Sequence, residues 1–282
     1  MFVNEYLKFV SLKNNCSLPF NANHTAPSCL LQHVKLLNIT IYSPFIIPFA
    51  IMGILVGLYA YFYIKKITVL FEKKGKGFII YPIMFLYFAS MNISAIFADC
   101  FFPSYWFNNV HSDILPLILN LIDAVFSSMV NYCFILCGLV DINFLKENNF
   151  IYTLVISGNI LIVCGYILFL NGIWCNGANF LYLRLCEIGS CIFIICSTIT
   201  IYRAYKYLDY RKKINICLSI LCAITSGLIG IKVLSMNEWF CEHSRWISNY
   251  VIWFLCSSSS LMFIFFYFVA AIPYRIINYN ST

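Results

Sequence analysis

The stretch Phe78–Phe102, FIIYPIMFLYFASMNISAIFADCFF, decides the class of fold. Its 25 residues hold one formal charge, Asp99, close to the end. A helix of that length rises ~37 Å, enough to cross the ~30 Å hydrocarbon core of a bilayer. Six further runs share its character, at Tyr42–Tyr63, Ile114–Val140, Phe150–Leu170, Phe180–Tyr202, Ile214–Met236 and Ile247–Ala271. Their apolar residues are continuous and lack the one-sided spacing of a surface helix. The reading is an all-α membrane protein, a seven-transmembrane helix bundle. Composition agrees: 62% of residues are hydrophobic and 10% charged, against about 45–50% and about 25% in soluble domains.

Charge placement orients the bundle. Lys65, Lys66, Lys73, Lys74, Lys76, Lys146, Arg203, Lys206, Arg211, Lys212, Lys213 and Arg275 fall in alternate loops and the tail, which makes twelve of the eighteen basic residues. The opposite loops, Pro103–Asp113 and Asn171–Asn179, carry none. The positive-inside rule therefore places the N terminus outside and the C terminus in the cytosol. Residues 1–37 become an extracellular segment, 38–272 the transmembrane domain and 273–282 a cytosolic tail. Lys8, Lys13, Glu5 and two prolines interrupt the first 37 residues, so insertion falls to the first transmembrane helix. The net charge of +7 reflects this loop bias, and no nucleic-acid partner is expected.

The outer segment carries sequons at Asn15, Asn23 and Asn38, where a glycan could attach in the secretory pathway or at the plasma membrane. Most of the fourteen cysteines lie within apolar runs, where a thiol acts as a small apolar group. Cys16 and Cys29 could close a small outer loop or remain free thiols. Cys100, Cys175 and Cys241, near outer helix ends, could supply another bridge.

Ionisable groups inside apolar runs are the candidate functional residues, because each costs about 2.5–3.5 kcal/mol at a helix centre. Asp99 ends the second run, Asp113 opens the third, and Asp123 lies deeper in it. Arg184 and Glu187 share one face of the fifth run. Lys232 falls late in the sixth, and Glu238, Glu242 and His243 precede the seventh. In the orientation above, all lie in the outer half, and they predict an outward-opening polar pocket for a ligand. Ser127, one turn after Asp123, would share its face. The competing reading is an ion-pair network, such as Lys232 with Asp123 or Glu187, that only fixes helix register. Ser257–Ser260 read as small residues that let helices approach closely.

Three short patterns resemble the seven-helix family of transmembrane protein 8 and myomaker, within a superfamily that includes alkaline ceramidases and adiponectin receptors. The first is Ser94, Phe97, Ala98, Asp99, Cys100 and Pro103 in the second helix. The second is Asp113-Ile114-Leu115 followed by Asp123 and Ser127-Ser128. The third is His243-Ser244-Arg245-Trp246-Ile247 at the entrance of the seventh. The resemblance covers about residues 42–270. It implies an outer N terminus and, for enzymatic relatives, a zinc-dependent lipid hydrolase with histidine ligands from helices two and seven. Here Ala98 and Ile247 stand at two of those positions, leaving His243 as the remaining metal candidate. A catalytic zinc needs three protein ligands and an open position. Asp99 and His111 could substitute, although an outer histidine facing solvent is the plainer account of His111. The resemblance thus favours a non-catalytic member acting with membrane lipids in adhesion, membrane remodelling or fusion, with hydrolysis as the alternative.

A seven-transmembrane receptor with a cytosolic partner at the basic inner loops is the second expectation. Against it, the inner end of the third helix reads Val140-Asp141-Ile142-Asn143, without the Asp-Arg-Tyr of rhodopsin-like receptors. Transport is the third, and it requires a continuous polar path, whereas the inner halves of the runs read as apolar.

Overall fold

The computed structural model describes residues 33–36, 39–42, 44–71, 80–101, 114–145, 148–177, 179–205, 209–227 and 249–280. They form a two-stranded antiparallel hairpin and seven helices. The strands are β1 (His33–Leu36) and β2 (Ile39–Tyr42). The helices are α1 (Ile46–Phe71), α2 (Ile80–Ala95), α3 (Ile114–Asp141), α4 (Asn148–Leu170), α5 (Leu185–Ala204), α6 (Tyr210–Ile224) and α7 (Asn249–Asn280). Six-residue π-helical segments extend α2 through Ile96–Phe101 and lead into α5 over Asn179–Arg184.

Three of these helices begin alike, as Ile46-Ile47-Pro48, Ile80-Tyr81-Pro82 and Ile114-Leu115-Pro116. Proline fits there because the first four helical N–H groups have no acceptor within the helix, so its missing donor removes nothing.

Six spans are long and apolar enough to cross a membrane: Ile46–Ile67, Ile80–Phe101, Ile118–Asp141, Phe150–Leu170, Phe180–Ala204 and Val251–Ala271. The chain is therefore a multi-span, helical, membrane-type protein. Of the sequence-predicted run Ile214–Met236, only the residues up to Gly227 are described, within and just beyond the short α6. Two expectations are corrected. The first span was expected from Tyr42, but Tyr42 pairs with His33 in the hairpin and the helix starts at Ile46. The β-branched run Ile39-Thr40-Ile41 suits an extended strand, which accounts for the shift. That helix also continues past Tyr63 through Lys65 and Lys66 to Phe71, because long cationic side chains can reach water while their stems stay packed.

The largest core cluster draws on all seven helices near the end of the bundle marked by Asp141, and Tyr81, Phe85, Phe265, Tyr267 and Phe268 are among its members. Serines sew α7 to its neighbours. Ser258 donates to the Phe49 carbonyl of α1 at 3.2 Å, and Ser260 to the Ala223 carbonyl of α6 at 2.9 Å. Helix α4 is peripheral, and Ile156, Ile160, Leu161 and Ile167 face outward as lipid-side residues. It is held where the Tyr132 hydroxyl of α3 donates to the Leu154 carbonyl at 2.9 Å. The ring of Tyr132 lies over Gly158, where an added Cβ would come within 2.2 Å of it.

Candidate functional site

The two π-helical segments lie at the end of the bundle opposite Asp141, and each delivers a polar side chain inward. The wider π turn shifts the angular position of every following side chain relative to an α-helix, and such turns recur at functional sites. The first segment carries Asp99, 8% exposed, and the second carries Tyr182, half-buried. From α3, half-buried Asp123 lies close enough to Asp99 for the two carboxylates to interact electrostatically. Tyr182 is within electrostatic reach of both, and Tyr166 within reach of Asp123. Two carboxyl groups and two phenols from α2, α3, α4 and the α5 entry therefore meet in the half of the bundle where the polar residues were expected. Among the described residues, neither Asp99 nor Asp123 has a hydrogen-bond or ion-pair partner.

The wall of this site is well ordered by hydrogen bonds. Ser128 Oγ and Tyr166 Oη are 2.9 Å apart, and Ser128 also lies 3.0 Å from the Leu181 carbonyl and 2.9 Å from the Ala124 carbonyl. Tyr166 reaches the Ala124 carbonyl at 3.2 Å. This ties α3, α4 and the π segment before α5 at one point. Ser128, and not the expected Ser127, is thus the serine that builds the wall. One residue is ~100° around a helix, so the shift moves the hydroxyl to another face. Ser127 makes no hydrogen bond to Asp123. Its carbonyl accepts from Asn131 Nδ2 at 2.9 Å.

Other predicted residues fall elsewhere. Arg184 and Glu187 do share a face, and they pair with each other at 2.8 Å with side chains 62% and 42% exposed. Cys100 is buried and forms no disulfide among the described residues. Asp113, Lys232, His243 and His111, the sequon residues Asn15, Asn23 and Asn38, and Cys16, Cys29 and Cys241 lie outside the described residues.

The zinc of the enzymatic superfamily can be tested against the donor set. Ala98, at the position of a ligand histidine, is buried and has only a methyl group. Asp99 and Asp123 supply carboxylate oxygens, and no group of three or more His, Cys, Asp or Glu side chains fit to hold a metal exists among the described residues. The described donors therefore do not fit a three-ligand zinc site.

A second polar cluster interrupts the largely apolar core at the opposite end of the bundle. At the last residue of α3, Asp141 is 4% exposed and accepts from two fully buried tyrosines. Tyr81 of α2 donates to Oδ1 at 2.6 Å and Tyr267 of α7 to Oδ2 at 2.9 Å. Thr200 of α5 donates to the Asp141 carbonyl at 3.1 Å, and Arg203 to the next carbonyl, Ile142, at 3.2 Å. Three helices, α2, α5 and α7, thus converge on the end of α3. The sequence signal was a lone aspartate ending an apolar run, and phenols within neighbouring runs are the donors such a group needs.

The chain matches no family description, no curated protein and no solved structure.

Proposed function

We propose that this chain is a seven-transmembrane surface protein, N terminus outside, that holds a lipid by its headgroup at the carboxylate pair Asp99 and Asp123. The carrying observation is the pair of carboxylates from neighbouring helices, sheltered in one half of the bundle and without a donor among the described residues. Two such groups are costly in a membrane unless something cationic or hydrogen-donating meets them. A headgroup bearing an ammonium, with acyl chains leaving sideways between helices, supplies both charge and apolar match. Tyr182 adds an aromatic face that favours a cation.

The resemblance to the transmembrane protein 8 and myomaker family supports the same direction, a role in adhesion, membrane remodelling or fusion. It is read here as non-catalytic, since Ala98 and Ile247 stand where relatives have histidines. Outward orientation of this carboxylate pair is supported by the one-sided placement of lysine and arginine. It is further supported by Cys175, beyond the outer end of α4, which is not among the free thiols of the described residues. A bridge there to Cys16, Cys29 or Cys241 would require an oxidising compartment.

Native mass spectrometry of the purified full chain tests the reading. Wild type is expected to retain an amine-headgroup phospholipid, and the Asp99→Asn/Asp123→Asn variant to lose it while keeping its melting temperature. Equal retention by both proteins would remove the carboxylate pair from consideration.

A further inference from the structure

The end of the bundle marked by Asp141 has a surface of its own. Lys65 and Lys66 at the end of α1, Arg203 at the end of α5, and Arg211 and Lys212 at the start of α6 are all exposed there. Among the described residues, the carboxylates at this end are Asp141, already engaged by Tyr81 and Tyr267, and Asp209. Asp209 pairs with Lys212 at 3.8 Å with side chains 85% and 49% exposed, a contact too solvated to neutralise it strongly.

Among the described residues, the exposed tyrosines collect at the same end. Tyr59 and Tyr63 lie in the last turns of the first span, Tyr152 in the first turn of α4, Tyr202 and Tyr205 at the end of α5, and Tyr210 at the start of α6, each between 37% and 79% exposed. Exposed aromatics at the opposite end are phenylalanines, such as Phe45, Phe97 and Phe180. Phenol and cation are interleaved: the Lys213 ammonium lies 4.2 Å above the Tyr205 ring, and Lys65 reaches the Tyr61 hydroxyl at 3.4 Å. A tyrosine ring sits at headgroup depth because its body is apolar and its hydroxyl is polar, and a lysine or arginine beside it meets phosphate.

We infer that this collar of tyrosines and basic residues binds anionic phospholipid headgroups and selects them over zwitterionic ones. Charge complementarity fixes the occupant, since one leaflet of a cell membrane carries the anionic lipids and each cation near that surface contributes about fivefold to association. The inference rests on the chain being embedded in a membrane and is independent of the lipid site proposed at Asp99 and Asp123.

The test uses the full chain in mixed micelles containing equimolar phosphatidylserine and phosphatidylcholine, with retained lipids counted by native mass spectrometry. Wild type should retain phosphatidylserine by at least about tenfold over phosphatidylcholine, and raising salt should weaken that preference. The Lys65→Gln/Lys66→Gln/Arg211→Gln/Lys212→Gln variant should retain the two about equally. Arg211→Gln/Lys212→Gln alone, confined to the exposed start of α6, gives a smaller loss and serves if the fourfold variant does not fold. Lys35→Gln/Arg184→Gln, away from the collar, should leave the preference unchanged. Equal retention by wild type, an undiminished preference in both collar variants, or an equal loss from the variant away from the collar would overturn the inference.

Discussion

Asp141 and the Asp99–Asp123 pair pose the same physical problem and meet it in opposite ways. Some eighteen residues of α3, ~27 Å of helix, separate Asp123 from Asp141. At one end a buried carboxylate receives two phenolic donors and ends a helix whose terminal carbonyls receive a threonine and an arginine. At the other, two carboxylates lie near each other with no such donors among the described residues. A satisfied charge is a tie between helices. A pair that no described residue satisfies does not tie described helices together in that way.

That contrast can be broken most decisively at Asp141. Replacing it with alanine leaves two buried phenols without an acceptor, and stability should fall by about 3–5 kcal/mol in a mixed-micelle unfolding titration. A loss below about 1 kcal/mol would make the two ends equivalent. Tyr81→Phe and Tyr267→Phe each remove one donor to a charged acceptor and should cost about 1–2 kcal/mol. Combined with Asp141→Asn in a double-mutant cycle, their effects should be far from additive. Asp99→Asn and Asp123→Asn sharpen the comparison from the other side. Each removes a charge that no described residue compensates, so stability should be unchanged or rise by up to about 1 kcal/mol by the same titration, while the retained lipid is lost. The smallest effect is expected for Arg184→Gln, whose exposed pair with Glu187 should contribute less than about 0.5 kcal/mol to the unfolding free energy.

The bundle was legible in the sequence because span length and continuous apolarity are local properties. Asp99 and Asp123 were legible for a related reason, since an ionisable residue in an apolar run stands out whatever surrounds it. The junction at Asp141 was hidden because its donors lie 60 and 126 residues away in the chain. Tyrosine within a membrane run also reads equally well as interface or core. Ser127 was chosen over Ser128 because sequence spacing gives which residues share a face and leaves the rotation of that face about the helix axis open. The hairpin at His33–Tyr42 escaped notice for a different reason, as its second strand is as apolar as the helix that follows.

Gly189 of α5 lies against the backbone of α3, where an added Cβ would come within 2.5 Å of the Asn131 carbonyl. With main chain resting on main chain, these two helices can neither slide nor roll past one another without collision, and they should move as a single board. Any breathing that admits or releases a guest must then come from the elements around that board. Helix α4 is fastened to that board by the Tyr132 and Tyr166 hydroxyls, while Ile156, Ile160, Leu161 and Ile167 leave its other face exposed.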